Sequence, residues 1–174
     1  MKCILFLGVS LLASTPVFSQ TPYSGMQMRE IKALSSQQVA DLQAGRGMGL
    51  ALAAELNGYP GPSHVLELAD KLDLSSDQLA SVKALFNSMK AEALPLGSML
   101  IQHEVELDQQ FAARIVTSES LAASTASIAV TQGELRETHL KYHLSTTTLL
   151  TPDQMKRYAE LRGYGDQPIH HHRN

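Results

Sequence analysis

The chain has 174 residues, of which 44% are apolar and 18% charged, with a formal net charge of −3. That is room for one ordinary domain with its own core, and the modest charge with near-neutral mean hydropathy excludes wholesale disorder. The slight acidic balance gives no electrostatic ground for a nucleic-acid partner, and 5% aromatics without tryptophan favour helices over a β-sandwich or barrel.

Residues 1–19 read as a secretory signal. Lys2 supplies the positive start, and Ile4 to Ala13 form an apolar run too short to span a bilayer. Val17 and Ser19 stand at the −3 and −1 positions, so cleavage is expected before Gln20, with an uncleaved anchor as the alternative. The only cysteine, Cys3, lies in this segment. The exported product would hold no disulfide and no thiolate, and its fold would rest on packing alone. Later apolar runs are too short for a membrane span, so a soluble periplasmic protein is expected.

The rest of the chain divides into an N-terminal extension (20–61), a helical domain (62–163) and a His-rich tail (164–174). In the extension, Leu34-Ser35-Ser36-Gln37-Gln38-Val39 has the form of a capping box. The serine oxygen accepts from a backbone N–H of the first turn, and a glutamine three residues on reaches back to the serine N–H. Short helices are expected over Gln37–Gln43 and Met48–Asn57, with Gly45 to Gly49 as a flexible turn between them. Gly58-Tyr59-Pro60-Gly61-Pro62 is a hard stop, and His64–Leu72 is the next short helix.

A second box, Leu74-Ser75-Ser76-Asp77-Gln78-Leu79, opens a long helix over about 76–114. Its seam runs Leu79, Val82, Phe86, Met89, Ala93, Leu96, Leu100, Leu107 and Phe111, in steps of three and four. Pro95 inside it predicts a kink or a break. Thr117-Ser118-Glu119 starts a helix over about 119–149, whose weaker stripe is Leu121, Ile128, Leu135, His139, Tyr142 and Leu149. The third box, Leu150-Thr151-Pro152-Asp153-Gln154-Met155, opens a last helix that ends at Gly163. The expected fold is all-α: an elongated antiparallel helical hairpin with shorter flanking helices.

Two Leu-Ser/Thr-x-x-Gln boxes, at Leu74–Gln78 and Leu150–Gln154, bracket a long hairpin in an exported chain without cysteine. In this the chain resembles the Spy/CpxP family of periplasmic proteins and the related periplasmic heavy-metal sensors. The resemblance covers about Pro62 to Gly163 and is closest at the second of these boxes, with Tyr158 and the Leu161-Arg162-Gly163-Tyr164 ending. It implies a cradle-shaped homodimer and a role in envelope stress: nucleotide-independent chaperoning, control of a sensor kinase, or metal sensing. It supplies no catalytic residue. Chaperones of this kind have a basic concave face, whereas this chain is net acidic.

Seven histidines occur, and His139 and His143 stand at i and i+4 on one helix. With the hairpin turn near 116, His139 should lie opposite Ala93 and His143 opposite Met89, with Glu92 in reach. Folding the helix that carries His64 back across a turn near 74 brings His64 to a similar level. His64, Glu92, His139 and His143 are therefore the candidate metal ligands, for a divalent Ni, Co, Cu or Zn ion. No cofactor is required by the sequence, and hydrogen bonding or solvation accounts for the same histidines without a metal. The nickel/cobalt type of sensor carries a histidine pair on its first helix, and this chain has only His64 there. His103 and Glu104 sit about 15 Å further along. His170 to His172 form a short histidine tract. The scattered methionines suit core filling, adaptable binding surface or Cu(I) ligation.

Gly45-Arg46-Gly47-Met48-Gly49 lacks the strand and the Lys-Ser/Thr of a phosphate loop. No HExxH and no Ser/His/Asp order marks an enzyme. The expected function is reversible binding of unfolded or partner protein in the envelope; the alternative is a heavy-metal sensor or buffer.

Overall fold

A computed structural model describes residues 23–164. The signal segment with its cleavage point and the His170–His172 tract lie outside the described residues. Six helices follow a 3-10 turn at Met26–Met28: α1 (Ser36–Gln43), α2 (Leu52–Glu55), α3 (Pro62–Glu67), α4 (Ser76–Ala112), α5 (Ser118–Thr147) and α6 (Pro152–Arg162). The protein is all-α, and α4 and α5 pack antiparallel as a hairpin.

The helix starts follow from local chemistry. Ser35, Ser75 and Thr151 each accept a hydrogen bond from the N–H three residues on, and the Oε1 atoms of Gln38, Gln78 and Gln154 accept in turn from the cap N–H. Thr117 caps α5 in the same way, with the Ser120 hydroxyl as the returning group. Pro62, expected within a chain stop, is the first residue of α3, where its missing N–H is not needed. α1 fills its expected span, whereas α2 and α3 are shorter than expected; Gly49 and Gly58, both at positive φ, bound the segment that holds α2.

The 37 residues of α4 extend about 55 Å. Pro95 lies within α4 and does not break it. The register matches the arithmetic from the turn. Gln110 Nε2 donates to Ser124 Oγ (2.9 Å) near the tip, and Tyr142 Oη donates to Glu92 Oε1 (2.8 Å) lower down. The seam buries Val82, Met89, Ala93 and Leu100, but Phe111 at its end is exposed, as is Leu121 at the start of the α5 stripe. Both flank the turn, beyond the reach of the flanking helices.

Two apolar clusters hold the molecule. One joins Leu42 of α1 to Ala93, Leu100, Ile128 and Leu135 of the hairpin. The other joins Val65 and Leu72 to Val82, Leu150 and Tyr158 at the open end. Fully buried side chains such as Leu42 and Val82 each contribute about 1.5–3 kcal/mol. The α1–α4 contact depends on Gly97: a Cβ there would stand 2.6 Å from the Leu42 carbonyl oxygen.

The box glutamines also act across the fold. Gln78 Nε2 donates to Gln154 Oε1 (2.8 Å) and to the Leu149 carbonyl (2.8 Å). Gln154 Nε2 donates to Gln78 Oε1 (3.0 Å) and to the Leu72 carbonyl (3.2 Å). Two motifs 76 residues apart therefore clasp each other.

Candidate functional site

The buried face of α5 is unusual for its polarity. Between Ile128 and Thr146 it carries Thr131, Thr138, His139 and His143 among Leu135 and Tyr142, all at helical spacing. Thr146 satisfies its own hydroxyl by donating to the Tyr142 carbonyl (2.7 Å). The histidines cannot do this, and the loops of the N-terminal extension cover them. Gly45 to Gly49 is thus a packed turn: Gly47 lies against the His139 ring. Gly61 lies against His143 so closely that a Cβ would meet Nε2 at 2.6 Å.

A cavity of about 230 Å³ lies between these loops and the hairpin. Its walls include His64, His139, His143, Glu55, Met48 and Met89. A larger groove of about 630 Å³ runs between α1 and the hairpin over Leu42, Leu100 and Leu135, and has no histidine in its lining.

Glu55 organises the histidine cavity. It is 4% exposed, yet it remains a carboxylate because six groups surround it. Tyr158 Oη (2.5 Å) and Tyr164 Oη (3.2 Å) donate to Oε1, and the Gly61 N–H donates to Oε2 (3.3 Å). His64 Nδ1 (3.4 Å), Arg162 Nε (3.5 Å) and His143 Nδ1 (3.8 Å) lie at ion-pair distance. Burial pushes the Glu55 carboxyl up, but hydrogen bonds from His64 and Tyr158, the His64 charge and the Gly61 N–H together pull it down to about 2. The same contact, with burial the larger cause, pushes the Tyr158 phenol well above its ordinary range.

The two α5 histidines differ. His143 Nδ1 sits 2.7 Å from the Tyr59 carbonyl oxygen. A carbonyl cannot donate, so Nδ1 carries a hydrogen and Nε2 is the nitrogen left to offer a lone pair. His139 is 3% exposed, and its Nε2 has no hydrogen-bond partner among the described residues. An unpaired buried polar atom of this kind costs about 1–3 kcal/mol. Burial, and then the nearby His143, hold its pKa below the ordinary 6.5, so the ring is neutral.

The expected ligand set is brought together only in part. His64, His139 and His143 line one cavity, as the register implied. Glu92 does not join them. Its carboxylate pairs with Lys141 and accepts from Tyr142, and the Lys141 hydrogen bond is the main cause of its lowered pKa. The reason is helical: adjacent residues point about 100° apart, so with Ala93 in the core Glu92 is turned to the flank of α5. Among the described residues, no three His, Asp or Glu side chains stand together as a metal-ligand group.

Glu55, with Tyr158, Arg162 and Tyr164 around it, escaped sequence reasoning. The available signal was a lone carboxylate inside the apolar run Leu50 to Leu56. Such a charge is retained in a core only when it is paired.

Comparison with protein-family models, with curated proteins and with solved structures finds no match for this chain.

Proposed function

We propose that the protein is an exported, periplasmic binding protein of the Spy/CpxP type that holds unfolded or partner protein by weak, reversible apolar contact. The observation that carries this reading is the tip of the hairpin. Phe111 is 53% exposed, Ile115 67% and Leu121 38%, and all three lie within the last turn of α4, the connection and the first turns of α5. Past the Lys32–Asp108 ion pair, no hydrogen bond or ion pair among the described residues joins a flanking segment to this tip. An apolar end on a rigid rod suits contact with apolar segments of other chains, since its own fold does not use that surface.

Such binding needs no nucleotide. Its strength is limited by the small area of the tip, which makes release fast. A homodimer, presenting two tips, belongs to the same reading and is checked by the mass at sedimentation equilibrium. The test of function is aggregation of a chemically denatured client enzyme. Wild type at a near-stoichiometric dose slows light scattering, and Phe111→Ser combined with Ile115→Ser removes the effect with an unchanged helical spectrum. A wild-type chain that leaves aggregation unaltered refutes the reading.

A further inference from the structure

The cavity over α5 plays no part in protein binding at the tip, and its donors point to a different ligand. His139 is 3% exposed and its Nε2 is unpaired among the described residues. His143 uses Nδ1 on the Tyr59 carbonyl and keeps the lone pair of Nε2. These two imidazoles stand one helical turn apart and line one cavity.

The nature of a third donor decides the ion. Glu55 lines the cavity too, but its oxygens already accept from Tyr158, Tyr164 and the Gly61 N–H. Glu92 is held by Lys141 and Tyr142. The remaining residue of the facing helix in the cavity lining is Met89, 6% exposed, at the level of His143 by the hairpin register. Two imidazoles and a thioether form a neutral, soft set. A buried divalent ion would bring two charges into this site without a ligand to neutralise either, whereas a soft monovalent ion brings one and matches sulfur.

We propose that the cavity bounded by His139, His143 and Met89 is a binding site for monovalent copper. Met48, on the loop that closes the cavity, is a second methionine in its lining. The site departs from the expected divalent set of His64, Glu92, His139 and His143, and its ligands are read from the cavity itself.

The test uses the chain without an affinity tag, in a background where His170, His171 and His172 are each changed to Asn to silence the tail. Cu(I) is supplied anaerobically as its bicinchoninate complex. The protein takes one equivalent from the chelator, Ag(I) competes for it, and a tenfold excess of Zn(II) does not. Met89→Leu keeps the apolar volume and lowers Cu(I) affinity about tenfold or more with an unchanged helical spectrum. X-ray absorption of the copper form shows sulfur and nitrogen donors, and the sulfur is absent in Met89→Leu. No uptake from the chelator, displacement by Zn(II), equal affinity in Met89→Leu, or a spectrum without sulfur each overturns the proposal. His139→Gln abolishes uptake; if that variant does not fold, Met89→Leu and the absorption spectrum decide. Aggregation suppression is measured separately, so failure at the tip and failure at the cavity are told apart.

Discussion

Glu55→Gln changes almost no volume and removes one buried charge. The amide oxygen can still accept from Tyr158 and Tyr164, but the amide nitrogen in the place of Oε2 cannot accept from the Gly61 N–H, and attraction to His64 and Arg162 is lost. The size of the effect follows from titration. The carboxyl falls from an ordinary 4.5 to about 2 in the folded state. At about 1.4 kcal/mol per pKa unit, this is worth about 3 kcal/mol. Because the folded value is the lower one, the stabilisation is complete above 4.5 and is lost as pH falls through about 2. The assay is urea unfolding followed by far-UV circular dichroism, with a chelator present, from about pH 6 down to about pH 2. At the upper end the variant is about 3 kcal/mol less stable than wild type, and the two converge at the lower end. Asp41, Glu92 and Glu119 also have lowered pKa values, but they are common to both proteins and cancel in the difference. Two stability curves that run parallel across this range would refute the assignment of Glu55 as the charged centre of the cavity.

Two further outcomes test the packing. Gly97→Ala destabilises by about 1–2 kcal/mol in spite of the better helix propensity of alanine, because the new Cβ meets the Leu42 carbonyl oxygen at 2.6 Å. Gly133→Ala is the control: a Cβ there meets nothing within 4 Å, and the chain gains up to about 1 kcal/mol in thermal or urea unfolding. Equal effects at both positions would remove the α1–α4 close approach. Gln78→Ala and Gln154→Ala, combined in a double-mutant cycle, show a coupling of about 1 kcal/mol, since each amide bonds directly to the other; strict additivity refutes the clasp.

Local chemistry made much of the fold legible. Each capping box lies within four consecutive residues, so Ser35, Ser75 and Thr151 announce their helices whatever surrounds them. The seam Val82, Met89, Ala93 and Leu100 declares its period in the same local way. The stripe on α5 was harder to read, because threonine and histidine occupy core positions that hydropathy assigns to the surface. Phe111 and Leu121 misled in the opposite direction: they continue an apolar period past the point where any neighbour covers it.

The sequence by itself determined the helix starts, the hairpin and the pairing of His139 with His143, because these depend on separations of a few residues or on register counted from one turn. Only the tertiary structure decided that Glu55 and not Glu92 borders the histidines, and that Gln78 meets Gln154. Those contacts depend on how the extension folds back and on which way each side chain leaves its helix. A rotation of about 100° between neighbouring residues is enough to exchange a core position for a flank, and matching levels across the hairpin turn leaves that angle out.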